Sequence, residues 1–160
     1  MRIGILSDTH NELLATQAAV RVFESLEVEL VIHCGDIGSA DIISLFRRCP
    51  LHLVFGNMDQ PESLRGAIDG NGHTCYERFG HLNLAGCSVA FLHGDDRTLL
   101  NQTIQSGQWD VVCHGHTHVA KTFSLGPTLV VNPGAIHRTA SPSVAVIDLP
   151  SREVHRVHLQ

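Results

Sequence analysis

Five short apolar runs in this sequence, rich in β-branched residues, each stop at polar residues of a restricted kind. IGILS leads into Asp8-Thr9-His10, LVIHC into Gly35-Asp36, LHLVF into Gly56-Asn57, VAFL into His93, and VVCH into Gly115-His116-Thr117-His118. Runs of this length and composition read as strands. Between the first two, from Asn11 to Glu27, Leu13, Leu14, Ala18, Val22 and Leu26 recur at helical spacing. Asp41 to Arg48 reads as a second short helix that ends before Pro50, and Leu51 to Phe55 as the third strand. Parallel strands joined by helices carry ligands at their carboxyl ends, which is where Asp8, Asp36 and Asn57 fall.

Beyond Asp59 the pattern changes. Gln60 to Thr74 is rich in Gly and polar residues and reads as a loop at the rim of the site. From Cys75 onward YERFG, HLNLAG and CSVAFLHG are hairpin-like, Thr98 to Ser106 is a weak helix, and Trp109 to Cys113 is a strand. Three more strands follow around Thr122, Leu129 to Val131 and Val144 to Ile147. The expected fold is α/β, with two mixed β-sheets packed face to face and flanked by helices. At 160 residues, 43% of them hydrophobic, residues 1–160 are expected to form a single domain.

Composition narrows the function classes. A net charge of −5 with one lysine, Lys121, gives no nucleic-acid signature. No stretch approaches the roughly 18 uncharged apolar residues of a membrane span, and Met1 runs straight into a strand without a signal-peptide layout, so the expected location is cytoplasmic. Five cysteines without a CxxC pair read as reduced, mostly buried thiols, with Cys34 and Cys113 packing beneath the polar islands.

Together the islands offer two carboxylates, one amide and four imidazoles, more ligands than one ion can use and a nitrogen and oxygen set suited to a pair of divalent transition metals. Residues i and i+2 leaving a strand point to the same side, so Asp8 with His10 and His116 with His118 converge from one segment. Glycines 35, 56, 94 and 115 permit tight turns beside them. Asp36, whose two carboxylate oxygens can bridge, belongs between the metals.

This order of elements, DxH, GD, GN, an isolated His and GHxH, resembles the calcineurin-like metallophosphoesterase superfamily from Met1 to about Leu149. Asn132-Pro133-Gly134 and the Asn57-Met58-Asp59 variant are most similar to its YfcE/VPS29-like group of small phosphoesterases. The resemblance implies an αββα sandwich and a metal-dependent phosphoric ester hydrolase. It implies that Asp8, His10, Asp36 and His118 hold one metal, and Asp36, Asn57, His93 and His116 the other, with Asp36, Asn57 and His93 carrying catalysis. A hydroxide bridging the metals would attack in line. Mn²⁺ is favoured as the metal, with Zn²⁺, Fe or Ni²⁺ also compatible with these ligands. A homodimer or homotetramer is also implied, with strands in the Cys75 to Leu92 region as a surface. Two alternatives stand beside the phosphodiesterase: a VPS29-like protein-interaction scaffold, which has no chemical need for an intact ligand set, and a phosphomonoesterase acting on nucleotides or sugar phosphates.

Charge counting favours a small diester substrate. Two divalent ions, two carboxylates and a hydroxide leave about +1, which neutralises a diester but not a dianionic monoester. Arg97, Lys121 and Arg138 are the cations nearest the islands in sequence, and Arg138 and Asp59 are candidates for binding substrate. Many larger superfamily members place a His after the GN asparagine as leaving-group acid, where this chain has Met58, which donates no proton. Asp95 stands where HGH is common in relatives, and would attract a cation or cap the helix near Arg97. His33 and His114 are read as partners of the ligands or structural groups, His137 as facing substrate or not with even weight, and Asn132 as fixing a loop. Phe55, Phe79, Phe91 and Phe123 are core candidates.

Overall fold

The computed structural model describes residues 1–159. Its first half runs β1 (Arg2–Leu6), α1 (Leu13–Ser25), β2 (Leu30–His33), α2 (Ala40–Ser44), β3 (Leu51–Leu53), α3 (Pro61–Gly70) and β4 (Thr74–Cys75). Its second half runs β5 (Phe79–Leu84), β6 (Cys87–Leu92), α4 (Arg97–Gln105), β7 (Val111–Cys113), β8 (Lys121–Leu125), β9 (Thr128–Asn132), β10 (Ser143–Asp148) and β11 (Glu153–His158). One sheet has the order β11-β10-β1-β2-β3-β4 and the other β5-β6-β7-β9-β8. β1 to β4 run parallel, as do β6, β7 and β9, while β10, β11, β5 and β8 pair antiparallel. Both sheets are therefore mixed, as expected.

Strand alternation sorts the side chains into layers. Ile3 and Ile5 of β1 and Ile32 of β2 meet Val89, Phe91, Val111 and Val131 of the other sheet, with Cys34 and Cys113 in the same cluster. Leu6, Val31, Leu51 and Leu53 point the other way, onto α1, α2 and α3 through Ala19, Phe23, Ile42, Ile43, Leu64 and Ile68. Ala90, Leu92, Val112 and Val130 carry Ile104 of α4 on the far side. The result is an α-β-β-α sandwich. Gly4 lets α1 lie directly on β1, because a Cβ there would sit 2.7 Å from Phe23 Cε1.

Four expectations need correction. The buried stripe of α1 is Thr16, Ala19 and Phe23, not the one led by Leu13 and Leu14, which are 36% and 75% exposed. Thr16 can be buried because its hydroxyl donates to Glu12 O at 2.6 Å, satisfying a group that hydropathy alone places outside. Gln60 to Thr74 is not a loop: Pro61–Gly70 is a helix that buries Leu64 and Ile68, an i, i+4 pair hidden among glycines and charges, with Pro61 at its first turn. β11 was not expected either, since its only apolar residues, Val154 and Val157, fall one on each face of the sheet edge. Finally, Phe55 and Phe91 are core residues, but Phe79 is half-buried and Phe123 is 37% exposed, its ring under the Lys121 ammonium at 5.1 Å.

No helix among the described residues is long and apolar enough to cross a membrane.

Candidate metal centre

All five polar islands follow the carboxyl ends of parallel strands, β1, β2 and β3 in one sheet and β6 and β7 in the other. The loops are laced together through their backbones. Asp8 N donates to Gly35 O at 3.0 Å, His10 N to Asp36 O at 3.0 Å, and Gly115 N to His93 O at 2.9 Å. The side chains do not converge by extended alternation, however. Asp8, His10, Asp36, His116 and His118 all have positive φ, from 40° to 67°, a left-handed backbone that costs each about 1–2 kcal/mol. Five such residues in one site are held there by the surrounding structure, and they aim the donors inward.

The glycines divide by role. Gly35 takes φ +94°, which a side chain disfavours, whereas Gly56 and Gly115 have ordinary φ and supply space. A Cβ at Gly115 would overlap Ser7 Oγ and come within 2.7 Å of Asp8 Oδ2.

Five of the seven expected ligands form two overlapping triplets, Asp8 with His10 and His118, and Asp8 with Asp36 and His93, their donor atoms within 4.8 Å of one another in each. His118 Nε2 lies 3.2 Å from Asp8 Oδ1, and Asp36 Oδ2 lies 3.5 Å from His10 Nε2 and 3.4 Å from His93 Nε2. Asn57 Oδ1 stands 3.1 Å from His93 Nε2. The His116 ring packs edge-on against His93, centroids 5.0 Å apart, and its backbone N–H donates to Asp8 Oδ2 at 3.1 Å.

These donors fit a cation. Asp8 Oδ1 and His10 Nε2 are buried yet have no hydrogen-bond partner within the protein, a situation costly for polar atoms unless something else satisfies them. His93 Nδ1 lies 2.8 Å from Cys34 O, so it is protonated and Nε2 turns its lone pair toward the Asn57 and Asp36 oxygens. Without a positive charge between them these atoms repel. A proton can serve instead: burial works against it, but the contact with Asp36 raises the His93 imidazole above its ordinary value. Burial likewise pushes the Asp36 carboxyl up, and is outweighed by His93 and by the Met58 N–H at 2.9 Å, which bring it down to about 2. A metal would displace that proton.

A layer of buried polar side chains supports the ligands. His33 Nδ1 accepts from Gly35 N at 3.1 Å, so its protonated Nε2 donates to Thr9 Oγ1 at 3.0 Å, and that hydroxyl donates to Ile37 O at 2.8 Å. One imidazole thus ties the loops carrying Asp8, His10 and Asp36, and burial lowers its pKa to about 3, keeping it neutral. Asn132 fixes a loop as expected: its Nδ2 donates to Gly115 O and Thr117 Oγ1, both at 3.0 Å, and its Oδ1 accepts from Gly134 N at 2.9 Å.

Asp59, a candidate for binding substrate, has both carboxylate oxygens engaged by backbone N–H groups. Its Oδ1 accepts from Ile37 N at 2.7 Å and Gly38 N at 3.1 Å, and its Oδ2 from Gly56 N at 2.8 Å, so both oxygens brace the GD loop against the GN loop. Met58 contributes only its backbone N–H, its side chain being 63% exposed. Arg138 is exposed and follows His137, whose ring is 5.8 Å from that of His10. Asp95 neither stands alone nor caps α4. The cap is Asp96, whose Oδ1 accepts from Leu99 N at 3.0 Å, while Asp95 Oδ2 pairs with Arg78 Nη2.

Arg78 is the residue no sequence signal marked. It also donates through Nη1 to Phe55 O at 3.1 Å, just before Gly56-Asn57, and lines a cavity of about 170 Å³ with Leu92, His93, Gly94, Asp95, Asp96 and Leu99. Its partners lie 17 and 23 residues away in the chain, so only folding brings it to the site. A larger cavity, about 230 Å³ between α1 and Arg48, contains none of these residues.

Comparison with known proteins agrees with this geometry. A phosphodiesterase of Methanocaldococcus jannaschii is 31% identical over 166 aligned residues that cover all of both chains. The solved structure of an archaeal phosphodiesterase superposes with a TM-score of 0.93 at 30% identity, covering 99% of this chain and 100% of that one. YfcE, a phosphoesterase from E. coli, shares the fold with a TM-score of 0.70 at 17% identity over the full length of both chains. Residues 1–152 match the calcineurin-like phosphoesterase superfamily domain, and the chain belongs to that superfamily of phosphoric ester hydrolases.

Proposed function

We propose that the chain is a phosphodiesterase that works with two divalent cations, Mn²⁺ foremost, with Zn²⁺, Fe or Ni²⁺ suiting the same donors. The observation that carries this reading is the pair of overlapping triplets around Asp8 and Asp36, with Asp8 Oδ1 and His10 Nε2 buried and unpartnered. Bound there, the cations would neutralise phosphoryl oxygens and lower the pKa of water. Asp8, His10, Asp36 and His118 would hold one, and Asp36, Asn57, His93 and His116 the other.

The chain's own groups supply orientation. Asp36 Oδ1 is held by the Met58 N–H, which leaves Oδ2 facing both His10 and His93 and makes Asp36 the carboxylate to be shared. His93 Nδ1 is held by Cys34 O, so Nε2 is the nitrogen that would bind a metal. Arg138 is exposed beside His137 and would meet the substrate from outside. No proton donor follows Asn57, so the enzyme favours esters whose alcohols leave readily. Two of the relatives that match along their whole length are named phosphodiesterases, which agrees with the charge count that leaves about +1 for a monoanionic diester.

The test is hydrolysis of bis-p-nitrophenyl phosphate and of p-nitrophenyl phosphate by chelator-stripped protein, with Mn²⁺ titrated back and bound metal counted. Diester turnover that rises to a plateau at two metals per chain is expected. Two bound metals without diester turnover would refute the reading.

A further inference from the structure

Next to His93 lies a cavity whose one cationic side chain, Arg78, is already neutralised. Arg78 Nη2 pairs with Asp95 and Nη1 is held on Phe55 O at 3.1 Å, so the guanidinium is fixed from two sides. Asp96, the other charged group lining the cavity, adds a negative charge. The ion pair is half in solvent, with side-chain exposures of 47% for Arg78 and 22% for Asp95. A monoester dianion needs one more positive charge than the metal centre can offer, and Arg78 is the group lining this cavity that could supply it.

We propose that Asp95 is a specificity-determining residue: by holding and neutralising Arg78 beside His93, it keeps the site matched to phosphate diester monoanions and poor for monoester dianions. This rests on the phosphodiesterase reading and extends it to the selection of substrate charge. Phosphate passing the His93 side would otherwise find a free guanidinium with the fork geometry that suits two phosphoryl oxygens. Instead it finds a neutral pair and an acidic neighbour. Breaking the pair to recruit Arg78 would leave Asp95 unpaired against the incoming anion, which adds repulsion to the same step.

The experiment compares inorganic phosphate, a dianion at pH 8, with dimethyl phosphate, a monoanion that is not turned over. Their binding is measured by calorimetry on Mn²⁺-loaded and on metal-free protein. Asp95→Asn keeps the shape and removes one negative charge, so preference for phosphate over dimethyl phosphate should rise about tenfold or more, the effect of a unit charge within about 12 Å at an effective dielectric near 20. The ratio of p-nitrophenyl phosphate to bis-p-nitrophenyl phosphate kcat/KM should rise with it. Arg78→Met combined with Asp95→Asn should return both ratios to the wild-type values. An unchanged preference in Asp95→Asn, or a gain that survives in the double variant, overturns the proposal. If Asp95→Asn unfolds or loses metal, Asp95→Ser takes its place under the same criteria. Failure of the wild type to hydrolyse any diester would count against the phosphodiesterase reading instead, while the binding ratios would still decide the role of Asp95.

Discussion

Gly56→Ala isolates the requirement for space beside Asp36. Gly56 has an ordinary φ, so alanine adds no backbone strain. Its methyl, however, would sit 2.5 Å from Asp36 N and 2.7 Å from Asp36 Cγ, and overlap Asp36 Oδ1 outright. Real Cβ atoms stay beyond 3.0 Å, so the Asp36 backbone must retreat by about 0.5 Å or more, and the carboxylate further. Neither has room to do so easily, because Asp36 O accepts from His10 N and Oδ1 from Met58 N. Such overpacking costs about 1–3 kcal/mol, or a melting temperature lower by roughly 4–8 °C for a loss near 2 kcal/mol in a chain of this size. The larger effect falls on the site. A displacement approaching 1 Å at a residue that faces both His10 and His93 should lower turnover by about 10²-fold and weaken both metals together. Thermal unfolding, a Mn²⁺ titration followed by calorimetry, and bis-p-nitrophenyl phosphate kinetics would be run on one preparation. A folded Gly56→Ala protein that binds both metals with wild-type affinity and turns over within twofold of wild type would refute the reasoning.

Asp36→Asn should lower turnover on the order of 10²–10³-fold and weaken both metals; full activity with two metals bound would exclude a shared carboxylate. Removing metal with a chelator should lower the melting temperature by roughly 10–20 °C relative to protein in Mn²⁺ at about 100 times its dissociation constant, since each of the two sites then contributes about 2.7 kcal/mol; equal melting curves would contradict metal-linked stability. The metal-free protein should also lose stability in acid through His33. The unfolded chain takes up its proton near pH 6.5 and the folded chain only near pH 3. The stability contributed by neutral His33 is therefore complete above about pH 6.5 and falls by roughly 2 kcal/mol on reaching pH 5. Urea unfolding at both pH values should show a smaller difference in His33→Gln, and an identical one would exclude His33 as the source. Asn132→Ala leaves Gly134 N without its partner, while Gly115 O keeps the Thr117 N–H at 2.8 Å, and should cost about 1–3 kcal/mol in urea unfolding; a change below about 0.5 kcal/mol would mean the loop is held by other contacts.

The candidate metal ligands were legible in the sequence because each follows a strand, and strand ends are where hydrophobic periodicity is most informative. Asp8, Asp36, Asn57, His93 and His116 needed only the rule that ligands gather at the carboxyl ends of parallel strands. The layers were legible for the same reason, since Ile3, Ile5 and Ile32 alternate with residues facing the helices. Local pattern failed where polarity and burial part company. Thr16 is buried because Glu12 O takes its hydroxyl, α3 hides two buried residues among glycines, and β11 is an edge strand with one valine on each face.

The sequence by itself determined which donors are present and which strand delivers each one, because period and chemistry are local properties. Only the tertiary structure decided what those donors do to one another. It set Asp8, His10, Asp36, His116 and His118 in left-handed conformations, turned Asp59 inward as a brace, and joined Arg78 to Asp95 beside His93. Those outcomes depend on hydrogen bonds and charges between residues far apart in the chain, and such distances carry no periodic signal.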